Sequence, residues 1–286
     1  MADAGWTSLG SLTIAGFAFG ALLLAATFAW LAGPPLMTAW RRHRVTSRPF
    51  PAPWRRVLRQ RMPAYGRLPP PLQLQLRRHV QWLLATTPFI GCAGLVVNDE
   101  MRVLIAAQAS LLLLNRPAGR FGALRQVLVY PGAFVVDRTR AGEGGVAHES
   151  RQVLSGESWQ LGQVVLSWDD VLAGAADPGD GRNVVIHEFA HQLDQEKGRA
   201  NGAPWLRGTE ARARWAAVLT AEFDALRRRL ANGEPGLIDP YAATDAAEFF
   251  AVVSEHFFEQ PAALAAGHPA LYAEFVRCYR TDPLHW

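Results

Sequence analysis

The chain has 286 residues, half of them hydrophobic, and a formal net charge of +4. That length suits one large domain or two small ones. Its two cysteines, Cys92 and Cys278, stand far apart with no C-x-x-C pair, which excludes a cysteine-based zinc site, argues against a disulfide framework and fits a reducing compartment.

After a short tail over 1–11, the run from Leu12 to Ala32 reads LTIAGFAFGALLLAATFAWLA. It carries no charge and is long enough, as a helix, to cross a hydrocarbon core of about 30 Å. The pattern predicts a transmembrane helix over 12–33, with Trp6 and Trp30 or Trp40 at the two interfaces. A signal peptide fits worse, because Met1–Ser11 has no Lys or Arg and the apolar run is too long. Pro34-Pro35 is expected to end this helix and open a basic stalk over 34–49. The first 98 residues carry eleven arginines against one acid, Asp3. Arg41, Arg42 and Arg44 follow the apolar run at once, so the positive-inside rule places the N-terminus outside and the rest in the cytoplasm. The anionic partner of the arginines is read as membrane headgroups rather than nucleic acid.

The remainder, 50–286, reads as one helix-rich α+β domain. Residues 45–71 are rich in Pro and Arg, like a tether, yet Phe50, Trp54, Val57, Leu58 and Tyr65 are apolar enough for part of it to pack. Leu72–Leu84 has a helical apolar face. Leu95–Val97 reads as a strand, and Asp99 as the cap of an apolar core helix reaching Leu114. Strands are predicted at Gln126–Tyr130, Phe134–Val136 and Gln163–Ser167, with a Gly-rich loop over Ala141–Gly145. Helices are predicted at Trp168–Ala175, Glu210–Leu230, Asp245–Phe258 and from about Pro269 to Tyr279.

The segment Asn183 to Asp194 contains His187-Glu188-Phe189-Ala190-His191 in an apolar, helix-compatible run. Residues four apart lie one above the other on a helix, so His187 and His191 face the same way and can bind one Zn²⁺. Glu188 beside them is placed to serve as general base. Burying two histidines and a glutamate without partners is costly, and a metal removes that cost.

A catalytic zinc needs a third protein ligand and leaves the fourth position to water. A third His six residues after His191 is ruled out, because position 197 is Lys. A carboxylate from a later helix is the other solution. Glu210 and Glu222 read as members of a solvated helix face. Glu248 sits in an apolar helix, and Glu255 lies seven residues on, nearly on the same face. Spacing favours Glu248 as ligand and leaves Glu255 open, with orientation of a ligand histidine as its other role.

The run from Tyr241 to Phe258, YAATDAAEFFAVVSEHFF, resembles the signature of the Mlc titration factor A family of bacterial zinc metallopeptidases. Val127–Pro131, Gly156–Gln160, Val165–Trp168, His187–Asp194 and Asp282–Leu284 match the same family. The resemblance implies a zincin-like, gluzincin-type catalytic domain with a small mixed sheet, similar to that of anthrax lethal factor. It implies zinc held by His187, His191 and Glu248, with Tyr241 stabilising the oxyanion. The N-terminal apolar segment departs from the soluble enterobacterial members. Expected, then, is a single-pass protein of a bacterial inner membrane with a cytoplasmic zinc peptidase domain, aminopeptidase-like and regulatory. Its partners would be a peptide or protein substrate, the membrane and a transcriptional regulator. Gln163–Ser167 is expected to offer its edge to an extended substrate. The competing expectation is a regulatory protein that sequesters a transcriptional repressor, with zinc as scaffold.

Overall fold

The computed structural model describes residues 26, 27, 30 and 32–286, apart from 117–120, 142–146, 155, 160–161 and 205. The chain divides into two compact units, Met1–Pro49 and Phe50–Trp286. Most of the expected span 12–33 lies outside the described residues, and among those described no helix is long and apolar enough to cross a membrane.

In the first unit, residues 32–46 form helix α1. Pro34-Pro35 therefore does not end a helix there, and the expected stalk is helical as far as Thr46. The physical reason is that proline lacks an N–H but has a helical φ, so the chain after it stays free to coil. Leu36, Met37 and Trp40 are exposed on α1. The Arg44 guanidinium lies over the Trp40 ring, 5.3 Å from its centroid.

The second unit opens with α2 (Ala52–Arg61), α3 (Pro63–Arg67) and α4 (Pro70–Thr86). Pro53, Pro63, Pro70 and Pro71 occupy first-turn positions of these helices, and Pro51 and Pro69 stand at N-caps, where a missing N–H costs little. Phe50, Leu58, Met62, Tyr65 and Leu68 are buried. Helix α5 (Asp99–Leu111) is buried almost all round, and Asn98, not Asp99, caps it by accepting the Met101 N–H at 2.9 Å.

A four-stranded sheet runs in the order β1 (Phe89–Gly91), β2 (Gln126–Tyr130), β6 (Gln163–Ser167), β5 (Gly156–Trp159). β1, β2 and β6 are parallel, and β5 pairs antiparallel with β6. The strand expected at Leu95–Val97 is absent, and its place is taken by β1. Leu95 and Val97 pack on the core while Val96 is exposed, which mimics strand alternation without a neighbouring strand. β3 (Phe134–Ala141) runs five residues past its expected end and pairs with β4 (Ala147–Leu154) as an antiparallel ladder.

After β6 come α6 (Trp168–Ala176), α7 (Val184–Asp194), α8 (Thr209–Ala231), α9 (Ala246–Glu259), α10 (Pro261–Gly267) and α11 (Pro269–Tyr279). Helix α7 lies against α5, α6, α9, β5 and β6, at the centre of the unit. Phe250 and Phe257 of α9 and Phe275 and Tyr279 of α11 are fully buried, and Ser254 and Tyr279 share a hydroxyl contact of 2.7 Å among them. This apolar packing fixes α9 and leaves its opposite face for polar side chains directed at α7.

Candidate metal centre

Helix α7 begins at Asn183, whose side-chain oxygen accepts the Ile186 N–H at 3.0 Å. Val185, Ile186, Phe189, Ala190 and Leu193 are buried on its core side. The remaining stripe carries His187 and His191, with ring centroids 4.9 Å apart.

Helix α9 presents Glu248 to both rings. Glu248 Oε2 lies 3.0 Å from His187 Nε2 and 3.5 Å from His191 Nε2. Ligand atoms of His187, His191 and Glu248 all fall within 4.8 Å of one another. One turn pair further along α9, Glu255 Oε1 lies 2.8 Å from His187 Nδ1. Both nitrogens of His187 are thus engaged, one by each carboxylate, and the ring is held in a single orientation.

The electrostatics match this donor set. Burial pushes the Glu248 carboxyl up, but hydrogen bonds to His187 and His191 outweigh it and hold the group well below the carboxylate range. Burial pushes His187 down, yet its bonds to Glu248 and Glu255 bring the net result well above 6.5. Two carboxylates facing one imidazole favour positive charge there. Two imidazoles and one carboxylate suit a borderline-soft dication such as zinc, and three protein donors leave a position for water or substrate.

Glu188 and Tyr241 face the same open space, a cleft of about 570 Å³ beside His187. Glu188 is buried. Tyr241 stands half-exposed on the short turn Pro240–Ala243, its ring centroid 6.2 Å from that of His187. Asp239 holds the turn by accepting the Tyr241 N–H at 2.9 Å. The edge expected of β6 is not there, since β2 and β5 pair with it on both sides. β5 is the outer strand and lies against α7.

A family model described as glucose-regulated metallo-peptidase M90 matches residues 37–280. The chain belongs to this metallopeptidase family. A metal cofactor goes with the family, and the His187, His191 and Glu248 cluster is consistent with one. Among similar proteins, an uncharacterized protein of Synechocystis sp. is 38% identical over 263 residues, covering 92% of this chain and 96% of its own. Mlc titration factor A of Pectobacterium atrosepticum is 39% identical over 195 residues, 66% of this chain and 72% of its own. The Klebsiella pneumoniae protein of that name is 35% identical over 235 residues, 81% of this chain and 87% of its own.

Three residues that sequence reasoning passed over support the metallopeptidase site. Asn183 caps the motif helix. Glu259 follows Glu255 by four on α9, so Glu248, Glu255 and Glu259 make one acidic stripe on a mostly apolar helix. Asp194, at the end of α7, accepts the N–H groups of Asn201, Gly202 and Ala203 at 2.7, 2.7 and 2.9 Å. A buried acid in an apolar helix is the signal that could have found Glu259.

Proposed function

We propose that the chain is a membrane-anchored, zinc-dependent peptidase that hydrolyses peptide bonds in an aminopeptidase-like, regulatory role. The observation that carries the reading is the convergence of His187, His191 and Glu248 within 4.8 Å, with Glu188 and Tyr241 on the adjoining cleft. Zinc bound by those three side chains would supply a Lewis acid able to lower the pKa of water towards 7. Glu188 takes the proton of the attacking water and returns it to the leaving amine. The Tyr241 hydroxyl donates to the developing oxyanion. Glu255 keeps the His187 ring in place. The anchor rests on the uncharged run at Leu12–Ala32 and the arginines after it. The same features support a bacterial inner-membrane location with the catalytic unit facing the cytoplasm.

Treating the full-length protein with a chelator and then restoring zinc tests this reading. Cleavage of a peptide library should vanish with the metal and return with it. Cleavage indifferent to chelation would sink the metallopeptidase mechanism.

One observation favours a second reading. Two of the relatives reported above are named Mlc titration factor A, so a transcriptional regulator is a partner to test here. Under that reading the chain sequesters the regulator with zinc as scaffold, and Glu188→Gln leaves binding of the regulator unchanged.

A further inference from the structure

Behind the ligand cluster lies a second polar group that no metal ligand uses directly. The Asn183 amide nitrogen Nδ2 is within donating distance of Gln108 Oε1 (2.9 Å), Gly174 O (3.1 Å) and Glu259 Oε1 (2.9 Å). Its backbone N–H donates to Glu255 Oε2 at 2.5 Å, and Glu255 meets His187 through its other oxygen. Asn183 thus ties α5, α6 and α9 to the first turn of the metal helix. Glu259 is buried, and its second oxygen, Oε2, is enclosed without a donor. The same carboxyl lies within hydrogen-bond reach of Asp180, an exposed residue whose Oδ1 accepts the Arg182 N–H at 2.8 Å. Asp180, Gly181 and Arg182 line the cleft.

We propose that Glu259 is a positioning residue for the metal site: through Asn183 and Asp180 it fixes the turn before α7, and with it the His187–Glu255 contact. The inference rests on the metallopeptidase reading for its consequence, not for its structural content. Two facing carboxylates bond only with a proton between them. The charged groups facing Glu259 are Asp180 from the turn and Glu255 from its own helix. The small space beside it is lined from α3, α5, α6 and α7 by uncharged groups such as Ala64, Gln108, Gly174 and Asn183. Burial first, and then the charges of Asp180 and Glu255, push the Glu259 carboxyl up to about 8 against the opposing bond from Asn183. At neutral pH it is therefore an acid that accepts from Asn183 with its carbonyl oxygen and donates its O–H to Asp180. Above that pH the proton leaves, two carboxylates repel, and the turn is released. Glutamine reproduces the neutral pattern, one acceptor and one donor, at every pH.

Full-length wild type, Glu259→Gln and Glu259→Ala are compared from about pH 6 to about pH 9.5 by hydrogen-exchange protection of the 178–187 segment and by zinc affinity in chelator competition. Wild type should hold both values to neutral pH and lose about tenfold in each above pH 8. Glu259→Gln should stay flat, and Glu259→Ala should be weak throughout. A Glu259→Gln protein that falls like wild type, or is weak already at neutral pH, overturns the proposal, as does a wild type that does not fall. The exchange arm decides even if the protein cleaves nothing.

Discussion

His187 is the residue on which the centre turns, because each of its nitrogens faces a different carboxylate of one helix. Glu248 is shared with His191 and completes the group of three that could hold a metal, while the Glu255 carboxylate meets His187 and the Asn183 N–H. Glu248→Ala should therefore abolish zinc binding by elemental analysis, whereas Glu255→Ala should retain zinc with affinity lowered about 10- to 100-fold. Full zinc retention in Glu248→Ala would move the ligand role to Glu255. Glu259 gives a stability prediction of its own. Its folded value of about 8 exceeds the ordinary 4.5 of the unfolded carboxyl. The folded chain keeps a proton that the unfolded chain has released, so this contribution is complete below about pH 4.5 and is lost as pH rises to about 8. Glu259→Gln should raise the free energy of unfolding at pH 8 by on the order of 2–4 kcal/mol, and far less near pH 4.5. Urea denaturation at the two pH values checks it.

At the scale of elements, α7 and α9 act as two rods whose polar stripes meet. The α7 stripe was legible in the sequence, because the four-residue spacing of His187 and His191 states its own geometry. The α9 stripe was half legible. Glu248 and Glu255 stand out in an apolar run, but which one approaches both imidazoles depends on how the helices cross, which spacing does not encode. The Phe50–Leu68 stretch has a tether's prolines, because prolines mark both linkers and helix starts, and its apolar residues were the sign that part of it packs. β6 was found as a strand, yet its neighbours, β2 and β5, are set by tertiary pairing that its own residues do not reveal. The loop after α7 is pinned to the site at Gly202. It has φ +75°, and a Cβ there would stand 2.4 Å from the Ala246 carbonyl oxygen, two residues before Glu248. Gly202→Ala should cost about 1–3 kcal/mol in chemical denaturation. An unchanged midpoint would mean that the loop yields freely.

Across the whole molecule, the hydrophobic core formed by the described residues draws on Phe50 onward. The fragment 50–286 should accordingly fold and bind zinc by itself. The full chain should cosediment with vesicles of anionic lipid and the fragment should not, and equal partitioning of the two would remove the membrane anchor from the account. The uncharged run at Leu12–Ala32 sets the front of the sequence apart in hydropathy, whereas its arginines run on to Arg78, inside the second unit. The catalytic assignment is tested most directly by measuring zinc content and peptide cleavage on one preparation of Glu188→Gln beside wild type. One zinc per chain is expected in both proteins, with cleavage in wild type alone. Undiminished cleavage by the zinc-loaded variant would contradict it.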